Sequence, residues 1–171
     1  MIERRAFVPT SPRLQFGGAR LESHRVDGPS KSFTLEAYAV WVQPTSSNAD
    51  IWFASLAPGG NSWSANTKIS DDPGTADQLQ PEIGVDGAGT ILVAWDDWRV
   101  SPHQLRVRKR PAGSSTWSPS VVVAADGANY PSLSVRSDGA ALLAWYDGFN
   151  ATAPNVWTSD YDPTSGSWSA P

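Results

Sequence analysis

The 171 residues carry 13 Lys and Arg against 17 Asp and Glu, with nine Trp, fourteen Gly, fourteen Pro and no Cys. A net charge of −4 gives no electrostatic footprint for nucleic acid, which needs clustered Lys and Arg to displace counterions from phosphate. Without Cys there is neither a disulfide framework nor a thiolate site, and with imidazole confined to His24 and His103 no metal and no cofactor is expected.

The opening stretch, MIERRAFVPT, lacks the apolar core of a signal peptide, and no run approaches the roughly 18 apolar residues of a membrane span. Residues 1–32 are expected to hold an N-terminal segment and a first strand. Arg5-Ala6-Phe7-Val8 could serve as a last strand donated to another sheet.

From residue 33 onward the chain repeats itself. Leu35 to Trp41 reads LEAYAVW. Pro81–Trp95, PEIGVDGAGTILVAW, and Pro131–Trp145, PSLSVRSDGAALLAW, align without a gap. Each is a strand, a Gly-containing turn and a second strand ending in Ala-Trp. A second marker recurs in step: the Trp residues of Ser62-Trp63-Ser64, Thr116-Trp117-Ser118 and Ser167-Trp168-Ser169 follow Trp41, Trp95 and Trp145 at matching distances. Between the markers lies a third strand with alternating apolar positions, and a fourth strand follows each Trp-Ser pair.

In the second copy strand A is expected at about 81–86, B at 90–97, C at 104–110 and D at 119–124. Four antiparallel strands recurring at a period of about 50 residues define a β-propeller blade. The expected fold is therefore all-β, about three four-stranded antiparallel blades in an incomplete ring. Residues 33–80 form the remainder of blade 1, 81–130 blade 2 and 131–171 blade 3, which lacks most of its last strand. Most Trp residues hold repeat positions (Trp41, Trp95 and Trp145; Trp63, Trp117 and Trp168; Trp52 and Trp157) and read as wedges between sheets. Trp98 stands outside the pattern. In strand C, Arg106, Arg108 and Arg110 share one face, a solvated or stacking face rather than a phosphate site.

At the Trp-Ser turns, Gly60, Ser62 and Trp63, then Thr116-Trp117 and Ser167-Trp168, match the Gly, Thr and Trp places of Ser/Thr-x-Asp-x-Gly-x-Thr-Trp. The chain so resembles the BNR, or Asp-box, repeats of sialidase-like propellers, over about residues 33–171. The Asp place holds Pro58, Ala112 and Pro163, so the boxes are degenerate. Ala94-Trp95-Asp96-Asp97-Trp98-Arg99 is similar to a Trp-x-Asp-x-Arg stretch of bacterial extracellular propellers. The resemblance implies a secreted or cell-surface protein. The arginine triad, Tyr–Glu pair and acid/base Asp of sialidases find no matching set here.

In a propeller the B–C and D–A loops rise on one face, and loops carry function more often than wedge positions do. The B–C loops are 43–48, 96–103 and 146–155, and the D–A loops 70–80 and 126–130. They concentrate Asp residues, including Asp126, among aromatics such as Phe149. Asp96, Asp97, Trp98, Arg99, Tyr130, Tyr146 and Asp147 are the candidate ligand-binding residues, since aromatic faces beside carboxylates suit sugar C–H surfaces and hydroxyls. Asp97 and Asp147 hold one position in neighbouring blades and could approach as an acid and base pair; turn-capping and an Asp97–Arg99 surface pair are the structural alternatives. The expected function is a non-catalytic extracellular module that binds a glycan or a protein surface. The alternative is a portion of a sialidase-like glycoside hydrolase. An open arc leaves sheet faces uncovered, so the expected partners are further blades of a longer chain or a second copy that completes the ring.

Overall fold

The computed structural model describes residues 20–27, 33–125, 127–147 and 155–171, with 20–27 and 33–35 as backbone alone. These fold into three four-stranded antiparallel sheets, each built from strands consecutive in the chain. Blade 1 comprises β1 (Arg20–Asp27), β2 (Phe33–Pro44), β3 (Ala49–Leu56) and β4 (Thr67–Lys68). Blade 2 comprises β5 (Gln78–Val85), β6 (Ile91–Asp97), β7 (Gln104–Arg110) and β8 (Val121–Ala124). Blade 3 comprises β9 (Asn129–Val135), β10 (Ala141–Tyr146), β11 (Val156–Asp162) and β12 (Ser167–Trp168). The expected donation by Arg5 to Val8 lies outside the described residues.

Blade 2 is buried on both faces because side chains alternate along a strand. Ile83, Ile91, Val93 and Trp95 pack on Tyr38, Val40, Ile51 and Phe53 of blade 1. Leu92, Ala94, Leu105 and Val107 point the other way and pack on Ala141, Leu143 and Trp145 of blade 3. Trp95 and Trp145 thus wedge successive blades apart, each contributing a large apolar area. Trp157, at a repeat position expected to wedge, is instead exposed. Of the three arginines of β7, Arg108 and Arg110 lie against blade 1, whereas Arg106 donates to Ser120 of its own blade at 2.8 Å. The Arg110 guanidinium sits 4.8 Å from the Phe53 ring centre and 5.7 Å from that of Trp117. Arg108 donates to the Ile69 and Ser118 carbonyls.

The first strands of blades 2 and 3 pack closely against each other. A Cβ on Gly84 of β5 would fall 3.0 Å from Val135 Cβ of β9, so only glycine fits there. Gly87 N donates to the Ser137 carbonyl at 3.0 Å, tying the neighbouring A–B turns together. Some boundaries differ from expectation: β5 starts at Gln78 and β9 at Asn129, before Pro81 and Pro131, and β8 starts at Val121 and not at 119. The Gln80-Pro81 pair bulges, after which Leu79 and Gln78 re-pair with Asp96 and Asp97. Proline has no N–H to donate and is tolerated at such a bulge, so here it interrupts the strand instead of starting it.

The degenerate Asp boxes still form tight turns. Gly59 and Gly113 hold the same place in the first two C–D turns and Gly166 closes the longer third turn by donating to the Asp162 carbonyl, each at a φ near +70°. In blade 3 the capping role falls one residue ahead of the box position: Asp162 Oδ1 accepts from Thr164 N at 2.9 Å.

Candidate functional site

The two adjacent carboxylates at the end of β6 point apart, as pleating requires, and do different work. Asp97 is fully buried. It accepts from Trp95 Nε1 at 2.9 Å, from Arg99 N at 3.1 Å and from Arg99 Nε and a terminal Arg99 nitrogen, both at 2.7 Å. Arg99 also donates to Asp71 Oδ1 at 2.8 Å, and Asp71 accepts from Ser120 N and Oγ, both at 2.9 Å. Burial alone would lower the Arg99 pKa, but Asp97 and Asp71 outweigh it and raise it. Burial likewise pulls the Asp71 carboxyl up, yet the bonds from Arg99 and Ser120 hold it down at about 2. This network clamps the D–A loop after blade 1 onto blade 2.

Asp96 faces the other way, into a polar and aromatic cluster. Its Oδ2 accepts from Trp98 Nε1 at 3.0 Å, while its Oδ1, buried, has no hydrogen-bond partner among the described residues. His103 Nε2 lies 3.8 Å from that Oδ1 and 2.6 Å from Asn129 Oδ1. Asn129 is fixed in turn by donating to the Gly127 carbonyl at 2.7 Å. The imidazole stacks flat on the Trp98 indole, with ring centres 4.7 Å apart and planes 4° from parallel. Burial pushes the Asp96 carboxyl up to about 6; the Trp98 bond and His103 oppose the rise and the Asp97 charge adds to it.

The remaining candidates are more open. Tyr130, 59% exposed, follows Asn129 directly and opens onto the same loop face. Tyr146 is half-buried at the end of β10. Asp147 is paired: its Oδ2 accepts from Trp157 Nε1 at 2.6 Å and its Oδ1 from Asn155 N at 2.7 Å, and these bonds lower its pKa. The bonds at Asp97 and Asp147 thus go to protein groups, and the Asp97–Arg99 pair is an interior one. Asp126, Phe149 and most of the 146–155 loop lie outside the described residues. The structure therefore brings Asp96, Trp98 and the neighbourhood of Tyr130 together through two residues the sequence did not single out, His103 and Asn129. Neither carries a repeat signature that could have flagged it.

A cleft of about 440 Å³ opens at the opposite end of the blade 1–blade 2 interface, lined by Glu36, Tyr38 and Arg110 among others. Its Arg110 is already engaged by aromatic rings, and burial with the bond to Glu36 raises the Tyr38 hydroxyl. The cleft gathers no exposed aromatic or orphaned acid. The chemistry converges on the loops.

No family model matches the sequence, and no curated protein sequence matches it. Among solved structures the chain is similar to an α-L-arabinofuranosidase from Fusarium graminearum, solved with an iminosugar inhibitor. The TM-score is 0.51 at 15% identity, covering 84% of this chain and 44% of the enzyme. The chain resembles part of a propeller glycoside hydrolase. At that identity the likeness establishes the fold, and the chain spans less than half the length of the enzyme it matches.

Proposed function

We propose that this chain is a set of blades from an extracellular propeller that binds a carbohydrate on its B–C and D–A loop face without turning it over. One observation carries the reading: Trp98 keeps 42% of its surface exposed while its indole is fixed at the nitrogen by Asp96 and along one face by His103. An aromatic plane held rigid at the surface loses little entropy when a sugar ring stacks on it. The carboxylate that holds it is buried, and its other oxygen has no hydrogen-bond partner among the described residues.

A second reading, part of a glycoside hydrolase, is favoured by the fold likeness to the arabinofuranosidase. Against it stands the bonding of the carboxylates. A glycosidase needs two of them about 5–9.5 Å apart across the scissile bond, whereas Asp97 is held by Arg99 and Asp147 by Trp157 and Asn155.

Isothermal titration of the full chain with arabinan oligosaccharides and sialyllactose separates the readings. Binding by the parent chain that falls at least tenfold in Trp98→Ala, with the thermal midpoint held, supports the module. Release of nitrophenol from aryl arabinosides or sialosides, abolished in Asp147→Ala, would establish the hydrolase instead.

A further inference from the structure

Eight described residues adopt a left-handed backbone, and six of them are glycine. Those six recur by turn type, in the C–D turns, in the A–B turns and at Gly127 of a D–A loop, as expected where a Cβ would be strained. The exceptions are Gln80 and Tyr130, both at φ +52°. They hold the same repeat position, immediately before Pro81 and Pro131.

Each sits in a bulge opposite the wedge Trp of its blade. Pairing jumps from Leu79–Asp96 to Glu82–Ala94 in blade 2, and from Asn129–Tyr146 to Ser132–Ala144 in blade 3. Bulges of this kind re-aim a side chain and are frequent beside sites, and non-glycine residues in this region store strain that function commonly explains.

The Gln80 side chain has a visible task. Its Oε1 accepts from Tyr130 N at 2.9 Å, so one blade fixes the strained residue of the next. The Tyr130 side chain has none: it is exposed, with no hydrogen bond or ring contact from any described residue. Glycine at residue 130 would keep the backbone bond and relieve the strain. No contact among the described residues accounts for the tyrosine ring. Its chain neighbour Asn129 contacts His103, on which Trp98 stacks.

We propose that Tyr130 is a second carbohydrate-contacting aromatic beside Trp98, and that Gln80 is its positioning residue, holding it in the left-handed bulge across the blade boundary. The proposal rests on the carbohydrate-binding reading above and adds the residues that shape the site. Tyr130 supplies a ring face for a second sugar unit and a phenol for its hydroxyls, so the site prefers oligosaccharides of two or more units over monosaccharides.

The test is calorimetric titration of the full chain with the same arabinan oligosaccharides and sialyllactose, paired with thermal denaturation. Tyr130→Gly is expected to weaken binding at least tenfold while the thermal midpoint stays level or rises by about 2–4 °C, the shift that relief of about a kilocalorie of strain brings at this size. Gln80→Met, which removes the acceptor, weakens binding; Gln80→Glu, which retains it, restores binding. A fall in thermal midpoint with unchanged binding in Tyr130→Gly would overturn the proposal, because the tyrosine would then be structural. Trp98→Ala distinguishes the two levels. If it loses binding and Tyr130→Gly does not, this inference fails and the carbohydrate reading stands; if the parent chain binds no oligosaccharide of the panel, both fail.

Discussion

Asp97 and Asp147 occupy one repeat position in adjacent blades but differ in burial, so the same substitution at each isolates what the buried network contributes. In Asp97→Ala four donor contacts disappear at a fully buried site. Removing one partner of a buried ion pair costs about 3–5 kcal/mol, because the other charge is left uncompensated. Two features place this case at the lower end. Arg99 keeps Asp71 at 2.8 Å, and Trp95 Nε1 keeps Gln78 Oε1 at 3.1 Å. The expected loss is about 3 kcal/mol, a fall in thermal midpoint of about 6–12 °C for a domain of this size. Asp147→Ala, whose carboxylate is solvent-exposed, should move the midpoint far less. The assay is calorimetric or circular-dichroism melting of both variants with Asp97→Ala/Arg99→Met. The double variant should lose less than the sum of its parts, since the second change removes the stranded cation. A midpoint shift under about 2 °C for Asp97→Ala, or equal shifts at the two positions, would refute the claim that burial sets the cost.

Gly84→Ala should lower the midpoint by several degrees, as a methyl group at the β5–β9 approach displaces Val135 and overpacking costs about 1–3 kcal/mol; an unchanged melt would mean that the inner strands are not in contact. The Asp96 carboxyl is raised in the folded state to about 6, from about 3.9 in an unfolded chain. Between those values the folded state binds more protons, so this group makes stability fall as pH rises from about 4 to about 6. Asp96→Asn should flatten that slope in melts collected across the range; a slope unchanged by the substitution would contradict the assignment. Asp71, depressed to about 2, acts oppositely: its contribution is intact above about pH 4 and is lost as pH falls towards 2. Finally, Leu142 and Val156 are 42% and 74% exposed on the blade 3 face that corresponds to Leu92 and Leu105, which blade 2 buries against blade 3. Further blades of a longer chain or a second copy of this one are the two expected covers. With a second copy, light scattering should give a multiple of 18.3 kDa, reduced by Leu142→Glu with Val156→Glu; an 18.3 kDa species for the parent chain would exclude that copy.

Much of the architecture was legible without coordinates. Pro81–Trp95 and Pro131–Trp145 align without a gap because each blade solves the same problem, packing a strand pair against a copy of itself. The continuous apolar run from Ile91 to Trp95, the alternating Leu105 and Val107, and the recurrent turn glycines dictate local structure directly, since pleating and left-handed φ are properties of a few consecutive residues. The division of labour between Asp96 and Asp97 could be read only in part. Pleating sends them to opposite sides, but nothing in the residues Asp-Asp-Trp-Arg says that one side holds Arg99 and Asp71 while the other holds His103 and Asn129. Asp71 is 28 residues before Arg99, and Asn129 is 26 after His103, so these meetings depend on how blades stack. The strain at Gln80 and Tyr130 was hidden for the same reason. Sequence placed both before prolines at one repeat position; it took the bulge, and the bond from the Tyr130 N–H to the Gln80 side chain across the blade boundary, to turn that coincidence into a built feature. Repeat, strand order and turn chemistry were set by the sequence through short-range sterics and hydrophobic period, whereas burial, partner choice and the standing of each carboxylate were decided by packing between blades.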